Sequence, residues 1–449
     1  MSSKEIVSQW SLTQFEKELL DAVDLEEVMG LFINGETLHP LQALDVVKMM
    51  VRKTALCMYG TGTGKTYIAS ALIRWLYLLN PESRVLMFVK NNQLSQTPAD
   101  VEKLTGLRVE SSDATQKSLR NLFDSGDFLR CSVLMLTHQC LNNRDLMGLI
   151  FKYKNDFNAL IIDEAHNLNN VHKASTAGML RGVCSHFEYK WALTATPIVS
   201  SLDQFVRLAC MLDPDKYPNP ERLYRQLTRH EISFDVDPCF FIQRTRKDLG
   251  FDSCVRGIPI IVPALDHQKR ARRADRSLIC KGFGAINSAT ALVNLIVSQK
   301  SQYKRGIVYV RMHEVREFIL PFLEQAGIQY ACINGYTSLK DRNCVMEEFN
   351  KQGKYDVVIT SVEEALNLDC EYVLFYELTI NVDQVVGRAY RGLYTKTLDV
   401  YFMMVAESEE VEYFRDTILP LTQLVKDVVN VEYTAVIDVA NELMGGGRD

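Results

Sequence analysis

The sequence predicts an α/β protein made of two successive units, each with a parallel sheet. Short apolar runs alternate with helix-like stretches from Ala55 to Leu193, and again from Gly306 to Val405. This alternation is typical of parallel strands joined by crossover helices. Most of the apolar runs end in a polar cluster, and ligands bind beyond the carboxyl ends of such strands. The polar clusters are therefore the candidate site residues.

Bulk properties narrow the class of protein. A chain of 449 residues with a 47% hydrophobic fraction has room for about two to four globular domains. No apolar run reaches the roughly 18 residues of a membrane span, and the first residues lack the apolar core of a signal peptide. The 11 cysteines form no CxxC pair, which argues against a zinc site or a disulfide framework. We expect an intracellular protein without membrane contact.

Charge is distributed unevenly along the chain. The net charge is −6, but residues 1–36 carry −6 and residues 405–449 carry −7, so the residues between them carry +7. A basic body suits binding to a nucleic-acid backbone, although charge alone does not establish it. The acidic ends suit docking to a protein partner.

The first element is an accessory helical segment, residues 1–36, with apolar residues at helical spacing. Leu38 to Gln42 then open a second helix. The Gln42 amide is both donor and acceptor, so it could hydrogen-bond both polar edges of adenine. The alternative is an ordinary surface glutamine.

A glycine-rich loop, Tyr59 to Thr66 (YGTGTGKT), follows the apolar run Ala55 to Met58 and precedes a helix-like stretch. Its backbone N–H groups can cradle phosphates at the amino end of the helix. Lys65 would reach the β- and γ-phosphates of ATP, and the Thr66 hydroxyl would hold Mg²⁺. Tyr59 departs from the strict Walker A pattern, which has glycine or alanine there. The predicted cradle comprises Gly60, Thr61, Gly62, Thr63, Gly64, Lys65 and Thr66.

Four further strands are predicted in the first unit: Arg84–Lys90, Ser132–Thr137, Ala159–Ile162 and Tyr189–Leu193. Asp163 and Glu164 follow the third of these directly. Asp163 can hold Mg²⁺ while Glu164 polarises the water that attacks the γ-phosphate. His166 could relay the nucleotide state to the Thr194–Thr196 segment after the fourth strand; alternatively it is only hydrogen-bonded beneath the loop.

Composition changes beyond residue 213, where prolines and charges become frequent. We place the first unit at residues 37–230 and interpret residues 231–304 as a linker with a helical basic segment. Its basic run, QKRARRADR, could lie on a duplex backbone, serve as a nuclear address, or form a solvated helix face.

The second unit is predicted at residues 305–405, followed by an acidic tail at 406–449. It has no glycine loop of its own but carries QVVGRAYR, residues 384–391. Arg388 and Arg391 lie three residues apart on one helix face and could reach the γ-phosphate held by the first unit. A surface salt bridge is the alternative. The predicted strands are Gly306–Val310, Tyr330–Ile333, Asp356–Thr360, Tyr372–Tyr376 and Val400–Val405.

Together these segments resemble a superfamily 2 helicase or translocase. The resemblance covers roughly residues 38–405 and rests on LHPLQ, GTGTGKT, DEAH, LTATP, SVEEALNLD and QVVGRAYR. Within the superfamily, the chain is most similar to Swi/Snf-type ATPases and their relatives in large DNA viruses. That similarity rests on LTATPIVSSLDQFVRLACMLDPD, FIQRTRKDLG and INGYTSLKDRNCVMEEFN. SVEEALNLD departs from the family pattern because it lacks the glycine-rich GxGIN segment.

The resemblance implies two RecA-like lobes in tandem with a nucleotide cleft between them, and short helical extensions at both ends. It also implies ATP and Mg²⁺ as cofactors, with Gln42 and Gln384 at the nucleotide, Asp163 at the metal and His166 beside them. Arg388 and Arg391 would be the γ-phosphate sensor and the arginine finger. Nucleic acid would lie across the segments that follow Val89, Thr137, Ile333 and Thr360.

The predicted function is a nucleic-acid-dependent ATPase that translocates on nucleic acid, DNA in preference to RNA, and displaces or remodels bound complexes. One alternative is a helicase that separates DNA or RNA strands. The other is an ATP-gated transcription or assembly factor without processive motor activity. This predicted function is compatible with a location in the nucleus, the cytoplasm, a virion or a viral replication site.

Overall fold

The computed structural model describes residues 12–60, 62–94, 96–112, 116–170, 184–198, 201–229, 237, 239–245, 247–250, 254–270, 275–361, 366, 368–389, 397–428 and 435–445. The chain divides into two compact units, residues 1–245 and 246–449. Within the described ranges, no helix is both long enough and apolar enough to cross a bilayer.

The first unit alternates helices with short apolar strands. Its helices are α1 (Gln14–Ala22), α2 (Leu25–Met29), α3 (Pro40–Arg52), α4 (Lys65–Leu79), α5 (Thr97–Thr105), α6 (Gln116–Ser125), α7 (Arg144–Lys152), α8 (Leu202–Leu212) and α9 (Pro220–Thr228). Its strands are β1 (Thr54–Tyr59), β2 (Val85–Val89), β3 (Val109–Ser112), β4 (Val133–Thr137), β5 (Ala159–Ile162), β6 (Tyr189–Thr194) and β7 (Phe241–Arg244).

These strands form one sheet in the order β3-β4-β2-β5-β6-β1-β7, with every described pair parallel. Every residue of β1, β2, β4 and β5 is buried. Strands covered on both faces in this way read as continuous apolar runs, which is why the sequence indicates them. Because β5, β6 and β1 are neighbouring parallel strands, their carboxyl ends lie side by side.

The second unit repeats this plan. Its helices are α10 (Arg276–Lys281), α11 (Ile286–Ser301), α12 (His313–Gln325), α13 (Leu339–Glu347), α14 (Val382–Ala389), α15 (Glu409–Tyr413), α16 (Leu419–Val428) and α17 (Ala435–Gly445). Its strands are β8 (Cys254–Val262), β9 (Gly306–Tyr309), β10 (Tyr330–Ile333), β11 (Val357–Thr360), β12 (Tyr372–Phe375) and β13 (Thr397–Val405).

The second sheet has the order β10-β11-β9-β12-β13-β8, and its described pairs are also parallel. Apolar residues on its two faces form two separate core clusters. One cluster includes Val382, Val385 and Val386, so α14 is held against the sheet by residues at helical spacing.

Two segments contribute more to the sheets and cores than the sequence indicates. Residues 231–304, interpreted above as a linker with a basic segment, supply β7 to the first sheet and β8 to the second. Residues 406–449, interpreted as an acidic tail, include α17, whose Val436 and Val439 are buried in the second core. Much of the basic run, residues 271–274, lies outside the described residues.

Helix α17 packs so closely on β8 that a side chain at Gly257 would collide with it. A Cβ there would lie 1.8 Å from the Ala435 carbonyl oxygen, and the Gly257 N–H already donates to Asp438 Oδ2 at 3.2 Å. We therefore expect Gly257→Ala to destabilise the protein by about 1–3 kcal/mol in urea unfolding, because backbone must move. Gly335→Ala is the matched control, since a Cβ at Gly335 meets nothing within 4 Å. Equal stability of the two variants would show that α17 does not pack there.

Candidate functional site

The glycine loop joins the end of β1 to the first residue of α4. Gly64 precedes the helix with φ +89°, a left-handed conformation that favours glycine. The Thr63 hydroxyl donates to the Gly60 carbonyl oxygen at 2.5 Å, which closes the turn. The first N–H groups of α4 have no partners within the helix, so this turn presents an anion-binding helix end. Thr61 lies outside the described residues.

Lys65 and Thr66 form the first turn of α4, and both are partly exposed. The Lys65 Nζ lies 3.5 Å from the Tyr59 carbonyl oxygen. In the sheet, β6 is the single strand between β1 and β5, so the loop and the Asp163 segment lie about 10 Å apart at the same edge. A triphosphate with its metal ion can span that distance.

Asp163 is a buried carboxylate with neutral hydrogen-bond donors. Its Oδ2 accepts from Gln93 Nε2 at 2.8 Å, and its Oδ1 accepts from the Glu164 N–H at 2.8 Å. Burial first, and then the adjacent carboxylate of Glu164, raise the pKa of Asp163 to about 6. Two neighbouring buried carboxylates fit a hard divalent cation, so Asp163, with the Thr66 hydroxyl, suits Mg²⁺. Within the described residues, no group of three or more His, Cys, Asp or Glu side chains forms a metal cluster.

The raised pKa of Asp163 predicts a specific pH dependence of stability. An unfolded aspartate titrates near about 4, so the folded state binds more protons than the unfolded state up to about pH 6. Stability from this group is therefore present below about pH 4 and lost as the pH rises to about 6. Asparagine does not titrate, so the stability of the variant Asp163→Asn does not fall in this way as the pH rises. We expect its free energy of unfolding, relative to wild type without Mg²⁺, to rise across this window by about 2 kcal/mol.

Urea unfolding of both proteins at several pH values between 4 and 7 measures this difference. The comparison cancels the contribution of each titrating group whose pKa does not depend on the charge of Asp163. A difference that does not change with pH would contradict the raised pKa.

Glu164 and His166 continue from Asp163 in a tight turn. Glu164 has φ +48°, an unusual conformation for a residue with a side chain, and its Oε2 lies 3.5 Å from His166 Nδ1. Burial lowers the pKa of His166 to about 3, so its ring is neutral at pH 7. The ring Nδ1 lies 2.9 Å from Thr194 Oγ1 and 3.3 Å from Thr196 Oγ1. The structure thus brings His166 together with the Thr194–Thr196 segment, and its relay role stays a prediction.

Gln42 contacts the glycine loop directly. Its Nε2 donates to the Thr63 carbonyl oxygen at 2.7 Å, and its Oε1 accepts from the His39 N–H at 2.9 Å. A Cβ on Gly64 would lie 2.6 Å from the same Nε2, so the amide packs against the loop backbone. Among the described residues, the Gln42 amide has one acceptor for its two N–H groups, so the second N–H could serve a ligand. Recognition of adenine by Gln42 stays a prediction.

The predicted residues of the second unit are only partly described. Gln384 and Arg388 lie on α14, which follows the strand β12, but nothing is described of their side chains. Arg391 lies outside the described residues. The sensor and finger roles of the two arginines therefore stay predictions.

Sequence reasoning did not single out Gln93. It lies in a short 3-10 helix after β2, and its own Oε1 accepts from the Lys90 N–H at 2.9 Å, which fixes the amide that donates to Asp163. The available signal was its place in the polar cluster after a buried strand, at the same sheet edge as Asp163.

Two family models match the chain. The model for the type III restriction enzyme, res subunit, matches residues 6–199, and the model for the helicase conserved C-terminal domain matches residues 287–392. Helicase SWR1 of Candida albicans is 30% identical over 107 residues, which is 23% of this chain and 6% of that protein. The chromodomain-helicase-DNA-binding protein 3 homolog of Caenorhabditis elegans is 25% identical over 213 residues, 47% of this chain and 10% of that protein. The chain thus matches only a small part of each relative's length.

A solved structure supports the fold. The helicase domain of Pyrococcus furiosus Hef aligns with 84% of this chain and 97% of its own, at 16% identity and a TM-score of 0.55. At that identity the likeness concerns the fold alone. The predicted α/β class with two RecA-like lobes is confirmed.

Proposed function

We propose that this chain, which is a superfamily 2 helicase of the Swi/Snf-like type, hydrolyses ATP at the glycine loop and uses the reaction to translocate on nucleic acid. The helicase domains imply an ATP-hydrolysing enzyme. The observation that carries the proposal is that Lys65 and the Asp163–Glu164 pair follow the carboxyl ends of strands separated by one strand in the same parallel sheet. A viral source stays a prediction.

Each residue of the edge has a distinct part in the proposed reaction. The loop N–H groups and Lys65 bind the β- and γ-phosphates, while Thr66 and Asp163 hold Mg²⁺, which when bound neutralises phosphate charge. Glu164 orients a water and takes its proton as the water oxygen bonds to the γ-phosphorus. The bond to the β-phosphate oxygen breaks, leaving ADP and phosphate. Neutral His166 cannot compete for that proton near pH 7, because its pKa is about 3.

In the proposed reaction, Arg388 and Arg391 of the second unit would act on the γ-phosphate, and Gln384 on the nucleotide. Positive charge from a second lobe stabilises the transition state only when the lobes close, which couples hydrolysis to movement. The helix α14 is anchored by Val385 and Val386, so such a group would move with its sheet.

Nucleic acid is proposed to bind the loops after β2, β4, β10 and β11. Two hydrogen bonds hold the loop after β10: the Asn334 N–H donates to Thr337 Oγ1 at 2.9 Å, and Arg342 Nη2 donates to the Asn334 carbonyl oxygen at 2.9 Å. Tyr336 at its tip is 100% exposed. DNA is favoured over RNA because the C. elegans relative is named a DNA-binding helicase. Protein partners would dock to the acidic ends.

The deciding experiment compares ATP hydrolysis without nucleic acid and with single- and double-stranded DNA and RNA. We expect the largest stimulation from duplex DNA, and weaker stimulation as salt rises, because bound Lys and Arg release counterions. Absence of stimulation by all four would refute translocation. Displacement of a labelled strand would favour the strand-separating alternative, and ATP binding without hydrolysis would favour the ATP-gated factor.

A further inference from the structure

A buried ion network lies beneath the glycine loop, centred on Asp45 of α3. Asp45 is 0% exposed, and its Oδ2 accepts from Arg244 Nε at 2.7 Å and from the Tyr59 hydroxyl at 2.7 Å. Its Oδ1 accepts from Arg244 Nη2 at 2.9 Å and from Lys48 Nζ at 3.2 Å. Both carboxylate oxygens are thus satisfied, and Arg244 binds in the two-pronged geometry that favours arginine over lysine.

The network is balanced in charge. Lys48 also pairs with Glu16 of α1 at 2.8 Å, so two carboxylates face two cations away from water. Burial alone would raise the pKa of Asp45, but the neighbouring charges of Arg244 and Lys48 hold that pKa below its usual value. Asp45 therefore stays ionised, and removal of Arg244 leaves a buried charge with a single cation.

Arg244 reaches the glycine loop by two separate routes. In β7 it pairs with Tyr59 of β1, and its carbonyl oxygen accepts from the Gly60 N–H at 3.0 Å. Its side chain holds Asp45 on α3, the helix that also carries Gln42, and Gln42 donates to the Thr63 carbonyl oxygen. One residue thus supports the loop near both ends.

We propose that Arg244 is a positioning residue of the nucleotide site. It holds the glycine loop in its ATP-binding conformation through Gly60 and through α3, the helix that carries Asp45 and Gln42. The proposal rests on the proposed ATP site. It also accounts for Tyr59, the departure from the Walker A pattern, because the Tyr59 hydroxyl is a partner of Asp45. Arg244 lies one residue before the last residue of the first unit, so this support sits where the chain leaves that unit.

The test compares Arg244→Gln with Arg52→Gln, a matched control. Arg52 is the last residue of the same helix and pairs with Asp213 and, at 3.5 Å, with Asp237, and no contact of its side chain with the glycine loop is described. Both variants lose a partly buried arginine ion pair, so both should lower Tm. Only Arg244→Gln should speed hydrogen exchange at the amides of residues 59–64 without nucleotide. Only that variant should raise KM for ATP, by about tenfold.

Normal exchange and normal KM in Arg244→Gln would overturn the proposal, as would equal effects in Arg52→Gln. If Arg244→Gln does not fold, Tyr59→Phe decides. That variant removes one hydrogen bond and no charge, and it should still speed exchange in the loop and raise KM about threefold; unchanged values would overturn the proposal. A wild-type chain that does not bind ATP would overturn the proposed function, whereas the exchange measurement without nucleotide would still judge the positioning role.

Discussion

Replacement of Lys65 with alanine is expected to lower the ATPase kcat by about three orders of magnitude. A cation at the β- and γ-phosphates stabilises charge that moves during phosphoryl transfer, and loss of one such group commonly costs about 10²–10³ in rate. The fold should survive, because the only contact described for Lys65 Nζ is the carbonyl oxygen of Tyr59 at 3.5 Å. Phosphate release at saturating ATP and nucleic acid measures the effect.

The matched control for this variant is Lys300→Ala, which removes a half-exposed lysine that pairs with Asp356 in the second unit. It should hydrolyse ATP at the wild-type rate. Ready hydrolysis by Lys65→Ala, with an unchanged circular dichroism spectrum, would show that the glycine loop is not the ATP site.

Replacement of Glu164 with glutamine is expected to lower kcat by about 10²–10⁴-fold while ATP still binds. General-base catalysis supplies a factor of that size, and the neutral amide keeps the shape of the side chain. ATP binding should persist, because the loop and Lys65 are untouched, and loss of one charge beside Asp163 should not weaken the metal site severely. Fluorescent-nucleotide titration and single-turnover hydrolysis separate the two effects.

The variant Glu348→Gln is the control for Glu164→Gln. Glu348 lies in the second unit and pairs with Lys354 and Tyr355 near the surface. A kcat of Glu164→Gln within about threefold of both wild type and this control would exclude a general-base role, since base removal costs at least about 10²-fold.

Among the described strands, the interior ones were predictable from the sequence, whereas three of the four edge strands were not. The interior strand Ala159–Ile162 matches the predicted bounds, and so does Tyr330–Ile333, an edge strand of the second sheet, because each is a short apolar run between polar residues. The strands that were missed, β3, β7 and β8, lie at the edges of their sheets. An edge strand tolerates polar residues and proline, and Pro259 in the middle of β8 resembles a loop residue in sequence.

The same contrast holds for the site. The glycine loop and Asp163–His166 are contiguous segments in which residue type and spacing indicate the chemistry. The support beneath the loop joins Asp45 to Arg244, which are 199 residues apart. A single sequence carries no signal for such a pair, because each residue alone reads as an ordinary surface charge.

At Glu164, the left-handed backbone lowers the stability of the fold at the position proposed for the general base. Glu164 has φ +48°. A residue with a Cβ destabilises the fold by about 1 kcal/mol in that conformation, whereas glycine adopts it without this cost. Glycine there would give a sturdier turn and an enzyme without its proposed base. The chain therefore keeps a slightly less stable turn at the position of its proposed general base.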